Sequence, residues 1–489
     1  MRLSELLDGV DIINSNQSFA KDIDNLTSDH RSIKQNSVFV AMKGTKRDGN
    51  DYVREAIENG CVAIVTENAS ICREEIPYIL VKNTRNAIAK MWSNFYNKPS
   101  KNIKTVAITG TNGKTSSAFF LYNILREANI SCGLISTVGC YINGEEINTY
   151  GGGAVTDIFS AMTTPDPQIL YYLYNKMKEK GAKIAVIEAS SHALSQERLA
   201  GVDIEIGAFT NLTSEHLDYH KNLEEYFSVK EKLFDFCKIG IINIDDEYGK
   251  RLKQKYTNSY TYSIKENADF RAEYVTLSAE GCKYKAKIKN EHLDISTQII
   301  GEFTVYNTLL AMSCASLLGV DAKAIKYGIS KTANIKGRME RYGDKPIYID
   351  YAHTPAAMEK AIKTLVKLEQ NKRITVLFGC GGDRDKSKRA EMGKIATELA
   401  DFTVITSDNP RTEDPNDIIN DIICGLKKGA RFAVIPKRRE AIKYTASKLT
   451  ENDVLLLLGK GHEEYEITRD GKSKFSEREI LDEVFSLDK

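Results

Sequence analysis

Residues 105–116, TVAITGTNGKTS, constrain this chain more than any other stretch, because they describe a phosphate-binding turn between a strand and a helix. Thr105–Thr109 is a short apolar, β-branched run, and Ser116–Leu125 carries a helical pattern. Between them lie Gly110, Thr111, Asn112, Gly113, Lys114 and Thr115. Glycines let the backbone turn sharply and bring its N–H groups up to phosphate oxygens, while the helix N-terminus adds positive potential. In that reading Lys114 reaches the β- and γ-phosphates and the Thr115 hydroxyl ligates Mg²⁺. The spacing is G-x-x-G-K-T, with Ile108 where a longer loop would place its first glycine, so a plain tight strand–helix turn is the rival reading.

At 489 residues the chain is too long for one core and predicts about three domains. Apolar content of 42% and charged content of 28% are those of a globular protein, and no apolar run reaches membrane-span length. The N-terminus, MRLSELLDGVDI, has no signal-peptide pattern, and the nine cysteines lack framework spacing, so reduced, mostly buried thiols in a cytoplasmic setting are expected. A net charge of +1 gives no global reason for a nucleic-acid or membrane-surface partner.

Strand candidates alternate with helices along most of the length. Ser37–Met42, Val62–Thr66 and Tyr78–Val81 precede a breaker, Asn97-Lys98-Pro99-Ser100. A second series begins at Ile103 and includes Lys183–Ile187, Ile206–Thr210 and Ile239–Ile244. Residues 260–300 alternate in a way that suggests antiparallel strands, and a helix follows over Val305–Leu318. The series restarts with Ile347–Asp350, Ile374–Phe378, Phe402–Thr406 and Val454–Leu458. The fold class is therefore α/β, with parallel, doubly wound sheets. The domains are expected at 1–100, 101–335 and 336–489.

Glu188 ends a strand, where ligands of open α/β sheets collect, and is placed to hold Mg²⁺; a helix-capping acid is the alternative. His216, Asp218 and His220 follow in a polar turn, but Leu217 stands where a zinc H-E-x-x-H motif needs glutamate. Lys230 and Lys232 share a helix, which taken alone reads as a solvated face.

Ten motifs occur in order: GTNGKTS, MTTPDP, EASSHALSQERL, TNLTSEHLDYH, VKEKLF, GRME, DYAHTP, GCGGDRDKSKR, SDNPRTEDP and GKGHEEYE. Together they make the chain resemble a Mur ligase, over about Thr27–Glu466, and within that family the enzymes that add the third residue of the peptidoglycan stem peptide. The resemblance implies three domains, with a P-loop-type central ATPase domain and a Rossmann-like C-terminal domain. It also implies an ATP- and Mg²⁺-dependent amide synthesis through an acyl phosphate. Residues 110–116, ending at Ser116, would hold ATP, with Asn307, Arg338 and His353 as further nucleotide contacts; Lys114, Glu188, His216 and Lys230 would be catalytic. Mg²⁺ would be held by Thr115, Glu188, His216 and Lys230, the last carried as a carbamate.

The acceptor implied is UDP-N-acetylmuramoyl-L-alanyl-D-glutamate. Its uridine end would meet Ser28, His30, Thr45, Lys46 and Arg47, and its dipeptide end Thr163, Thr164, Ser190, Gln196 and Arg198. His30, Met162 and Thr304 depart from the family pattern. Asp408-Asn409-Pro410-Arg411 matches the motif of the diaminopimelate-adding enzymes. A guanidinium there suits the second carboxylate that meso-diaminopimelate has and lysine lacks. Arg384 would take the other carboxylate, and Gly459 and Glu463 the distal amine. A monomer is expected. The lysine-adding enzyme, a folylpolyglutamate synthetase-like ligase, a P-loop nucleic-acid motor and an inactive scaffold are the alternatives.

Overall fold

Runs rich in Val, Ile and Leu form strands throughout the chain, as β-branched and apolar residues favour when both faces of a sheet are covered. The computed structural model describes every residue except 45–46, 148, 151–152, 155–161, 217–218, 289–290 and 487–489. The chain divides into two compact units, Met1–Thr109 with Ile130–Ala208 and Ser228–Gly240, and Gly110–Asn129 with Phe209–Phe227 and Ile241–Lys489.

The first unit opens with a five-stranded sheet in the order Ile12–Ser15, Tyr78–Val81, Cys61–Thr66, Ser37–Val40, Asn25–Thr27. Only the pairing of Ile12–Ser15 with Tyr78–Val81 is antiparallel. Phe39, Val53, Ala56 and Ile64 form its core. Helix Thr84–Phe95 is capped by Asn83, whose side-chain oxygen accepts from the N–H groups of Arg85 and Asn86. The breaker behaves as expected: Asn97 and Lys98 are left-handed (φ 55° and 47°), and Pro99–Asn102 is a 3₁₀ turn. Strands Lys104–Thr109, Ile184–Glu188 and Cys132–Ser136 then pair in parallel, with Glu188 level with Ile108.

In the second unit the helix after the phosphate loop spans Lys114–Glu127, two residues earlier than its apolar pattern suggested, because left-handed Gly113 (φ 87°) caps it. Phe270–Ser278, Gly281–Ile288 and Glu291–Thr297 are antiparallel, as their alternation indicated, but Tyr260–Ser263 pairs in parallel with its neighbour. Helix Glu302–Leu317 is apolar nearly all round, and accordingly is buried against the phosphate-loop helix and the antiparallel strands.

The last sheet of this unit runs Glu340–Arg341, Ile347–Asp350, Asp453–Leu458, Arg373–Phe378, Phe402–Ile405, Phe432–Val434, parallel apart from the first strand. Its strands bury both faces. Leu456 and Leu458 join Met358, Ile362, Val376 and Ile418 on one side, while Leu455 and Leu457 join Ile347, Leu377, Ile442 and Ile480 on the other. Strand Asp453–Leu458 lies between two strands that precede it in sequence, so the order reverses there. Ligands of doubly wound sheets bind at the carboxyl ends beside such a switch point.

Candidate active site

The phosphate loop is shaped by close approach to the turn at 210–213. A Cβ on Gly110 (φ 140°) would stand 1.9 Å from the Thr210 hydroxyl, so only glycine fits without movement. Thr111 N–H donates to the Asn211 carbonyl (2.8 Å), Asn112 N–H to the Asn211 side-chain oxygen (3.1 Å), and the Thr210 hydroxyl to the Asn112 carbonyl (2.7 Å). The Lys114 ammonium curls over the loop, donating to the carbonyls of Gly110 (2.9 Å) and Thr111 (2.7 Å). The Thr115 hydroxyl accepts from Arg338 Nη2 at 3.1 Å. Gly113 abuts Asn307, whose Oδ1 would be 2.5 Å from an added Cβ. The hydroxyl of Thr304 is used locally, donating to the Ile300 carbonyl.

A cavity of about 350 Å³ opens beside this loop, lined in part by Asn112, Ser116, Asn307, Arg338 and His353. The Arg338 guanidinium lies over the Tyr351 ring at 4.9 Å. Left-handed Gly337 before it passes so close to the 461–462 backbone that a Cβ would meet His462 N at 2.2 Å. Asp350 accepts the backbone N–H groups of Met339 (2.7 Å) and Ala352 (2.8 Å); burial raises its pKa and Arg338 opposes the rise. Glu215, which sequence reasoning passed over, stands 3.7 Å from His353 Nε2 and 4.0 Å from His216 Nε2. Only its position just before His216 in the motif could have drawn notice. His216 has a left-handed backbone (φ 56°), a strained conformation of the kind that gathers at functional sites.

In the first unit, Glu188 is fully buried and accepts from Thr137 N–H (2.8 Å) and its hydroxyl (3.3 Å). Lys230, on helix Leu223–Glu231, is only 1% exposed, which overturns the solvated-face reading. Among the described residues no three His, Cys, Asp or Glu side chains gather as a metal-holding group.

The residues expected at the dipeptide come together in the same unit. Thr164 Oγ1 donates to the Glu188 carbonyl (2.7 Å) and accepts from Ser190 N–H (3.0 Å). Arg198 donates to the Thr164 carbonyl (2.6 Å), the Met162 sulfur (3.2 Å) and Gln196 Oε1 (2.9 Å), and pairs with Asp166 (3.2 Å). Met162 therefore serves as a soft acceptor. Thr163 adjoins this cluster in sequence and is half-buried. At the N-terminal site, His30 stacks flat on Tyr52 at 3.9 Å, and Ser28 and Arg47 are exposed. Thr45 and Lys46 lie outside the described residues, as does Asp218.

The last sheet delivers four loops to its carboxyl edge: 351–353, 379–384, 406–411 and 459–463. Asp408 is nearly buried, and its Oδ2 would be 2.4 Å from a Cβ on left-handed Gly459. Asn409 Nδ2 donates to Glu463 Oε2 at 2.8 Å. Arg411 Nη1 donates to the Gly382 carbonyl (2.8 Å), while Pro410 O presses so near Gly382 that a Cβ there would be 1.9 Å away. Arg411 Nη1 and the Arg384 stem both lie near Gly381, and Arg384 is exposed. Burial raises the pKa of Glu463, Asp408 adds to the rise, and Lys460 opposes it. Lys460 itself, fully buried among these groups, was missed: a lysine in a glycine-rich loop reads as solvated.

Three family models cover most of the length: the Mur ligase family catalytic domain over residues 22–96, the Mur ligase middle domain over 108–315, and the Mur ligase glutamate ligase domain over 337–461. The chain is 41% identical to the UDP-N-acetylmuramoyl-L-alanyl-D-glutamate–2,6-diaminopimelate ligase of Caldanaerobacter subterraneus subsp. tengcongensis, over 99% of both.

The chain is a Mur ligase.

The protein of the same name from Clostridium tetani is 38% identical over 99% of both chains. A solved structure titled as that ligase superposes with a TM-score of 0.70 at 28% identity, covering 100% of this chain and 99% of the other. The Mur ligase three-domain architecture is thereby established. A folylpolyglutamate synthase of Mycobacterium tuberculosis, bound to ADP, shares the fold alone (TM-score 0.64, 16% identity, 78% of this chain and 92% of the other).

Proposed function

We propose that this Mur ligase joins meso-2,6-diaminopimelate to the D-glutamate carboxylate of UDP-N-acetylmuramoyl-L-alanyl-D-glutamate, converting ATP to ADP and phosphate. The observation that carries the reading is the loop cluster at the carboxyl edge of the last sheet. There the guanidinium of Arg411 and the acidic pair Asp408 and Glu463 lie on adjoining loops. That combination suits an amino-acid head bearing both a carboxylate and an ammonium group. The names of the full-length relatives support it.

In this mechanism a carboxylate oxygen of the acceptor attacks the γ-phosphorus, the bond to the β–γ bridging oxygen breaks, and ADP leaves. The amine then attacks the acyl carbon, the C–O bond to phosphate breaks, and one proton goes to phosphate and another to solvent. Phosphoryl transfer needs positioning and charge neutralisation more than covalent help. The backbone N–H groups of residues 110–116 and the Lys114 ammonium would supply these, with Asn307, Arg338 and His353 orienting the nucleotide. Thr164, Ser190, Gln196 and Arg198 would hold the acceptor dipeptide, and Ser28, His30, Thr45, Lys46 and Arg47 its uridine end.

Thr115, Glu188, His216 and Lys230 as a carbamate are the ligands we assign to Mg²⁺. The mostly oxygen donor set fits a hard cation. When bound, Mg²⁺ neutralises charge on the transferring phosphoryl group.

Domain limits at 1–100, 101–335 and 336–489 belong to the same reading, as do a monomeric state and a cytoplasmic location. No helix among the described residues is long and apolar enough to cross a membrane. The deciding assay measures amine-dependent ADP release with the UDP-muramoyl-dipeptide acceptor, comparing diaminopimelate, lysine and glutamate. Diaminopimelate should be strongly preferred; preference for lysine or glutamate would overturn the assignment.

A further inference from the structure

Lys460 has no solvent-exposed surface, yet it carries an ammonium group at the centre of the loop cluster. Its Nζ donates to Asn409 Oδ1 at 2.9 Å and to the Tyr465 carbonyl at 2.8 Å, and the Phe475 ring lies 5.3 Å away. Asp408 Oδ1 stands 3.9 Å off and Glu463 Oε2 3.8 Å off. A buried ammonium is retained only where charge and hydrogen bonds offset its desolvation, and both are present here.

Two consequences follow from these distances. First, Asn409 Oδ1 accepts from Lys460 and from Ile467 N–H (3.0 Å), so the amide can turn only one way. Its Nδ2 is therefore aimed at Glu463. Second, Asp408 and Glu463 together bring two negative charges and Lys460 one positive, leaving a single negative charge among the three.

We propose that Lys460 is a positioning residue of the amino-acid site: it locks the Asn409 amide and cancels one carboxylate charge, so that Asp408 and Glu463 present one net negative charge to the single distal ammonium of the incoming amino acid. The inference rests on the amino-acid site assigned above. Without Lys460, the two carboxylates would lose the charge that opposes their mutual repulsion, so a proton would be held more tightly between them and would have to leave before an ammonium group could bind. The other charged and titratable groups facing this cluster are Tyr465, Tyr351, Glu466 and Arg438, the last paired with Glu477.

The test uses the full-length enzyme and follows kcat/KM for diaminopimelate against pH. Lys460→Met should move its acid limb upward by about one pH unit, which lowers it about tenfold at any pH on that limb, one unit being a tenfold change in the ionised fraction there. KM for ATP and for the UDP-muramoyl dipeptide should stay within about twofold of wild type, a span well below 1 kcal/mol. Lys460→Arg keeps the charge and should leave the limb in place, whatever its rate. Should Lys460→Met not fold, the Lys460→Met/Glu463→Gln pair should regain a cooperative melting transition, because the unbalanced charge is gone. An unmoved acid limb in a folded Lys460→Met, parallel rises in all three KM values, or a pair that still does not fold would each overturn the proposal. Failure of the wild-type enzyme to use diaminopimelate would instead overturn the functional assignment.

Discussion

Arg411 shows how much one side chain is asked to do. Its backbone is left-handed (φ 53°), its N–H donates to the Ile467 carbonyl (3.0 Å), and its Nη1 donates to the Gly382 carbonyl (2.8 Å). It thus closes the Asn-Pro turn besides carrying the guanidinium that the proposed function assigns to a carboxylate. Arg411→Ala should lower kcat/KM for diaminopimelate by a factor corresponding to about 2–5 kcal/mol, because a desolvated carboxylate loses its partner. Residual use of lysine, which has no such carboxylate, should change little. Arg411→Gly separates the two roles: glycine tolerates the left-handed backbone, so it should melt at or above the alanine variant while sharing its kinetic loss. Parallel losses for both amino acids in steady-state assays would make Arg411 a turn residue only.

At the scale of elements, the phosphate loop is packed closely against the turn at 210–213. Gly110→Ala would drive a methyl group into the Thr210 hydroxyl, pushing the loop off the turn at 210–213. ADP release should fall by about two orders of magnitude, comparable to losing an electrostatic contact in the transition state, while the thermal midpoint shifts by only a few degrees. A variant with normal ATP affinity by calorimetry would contradict this. Much of this architecture was legible beforehand. Tyr78–Val81 and Ile347–Asp350 were placed to the residue, and Glu188 was placed at its strand end, because period and composition are local properties. Glu215, Lys460 and the burial of Lys230 were not legible, because what decides them comes from distant segments. Glu215 faces a histidine 138 positions later, and Lys460 bonds Asn409, 51 positions earlier. The turn at Gly113 also shifted the helix start, since a left-handed cap overrides where the apolar pattern begins.

Across the whole molecule, the last sheet is bound together by arginines whose side chains have no exposed surface. Arg389 pairs with Glu413 (2.9 Å) and Asp421 (2.8 Å), and hydrogen bonding to Arg389 holds the Glu413 carboxyl down to about 2. A carboxylate lowered on folding adds stability that is complete above its unfolded value of about 4.3, and that is lost as pH falls toward 2. Arg389→Met should therefore move the acid-unfolding midpoint upward, as followed by circular dichroism between pH 5 and 2. An unchanged midpoint would show that the pair does not contribute. Arg438 forms the second such pair, with Glu477 (2.7 Å), and also donates to the carbonyls of Leu458 (2.8 Å) and Ser407 (3.4 Å). Those carbonyls immediately precede Gly459 and Asp408, so the two amino-acid loops hang from one guanidinium that a residue of the final helix, Glu477–Ser486, neutralises. During synthesis the nucleotide loop can close as soon as its own strands and helices emerge. The loops at 406–411 and 459–463 have to wait for Glu477 to leave the ribosome, so under the proposed assignment this ligase gains its hold on the amino acid later than its hold on the nucleotide.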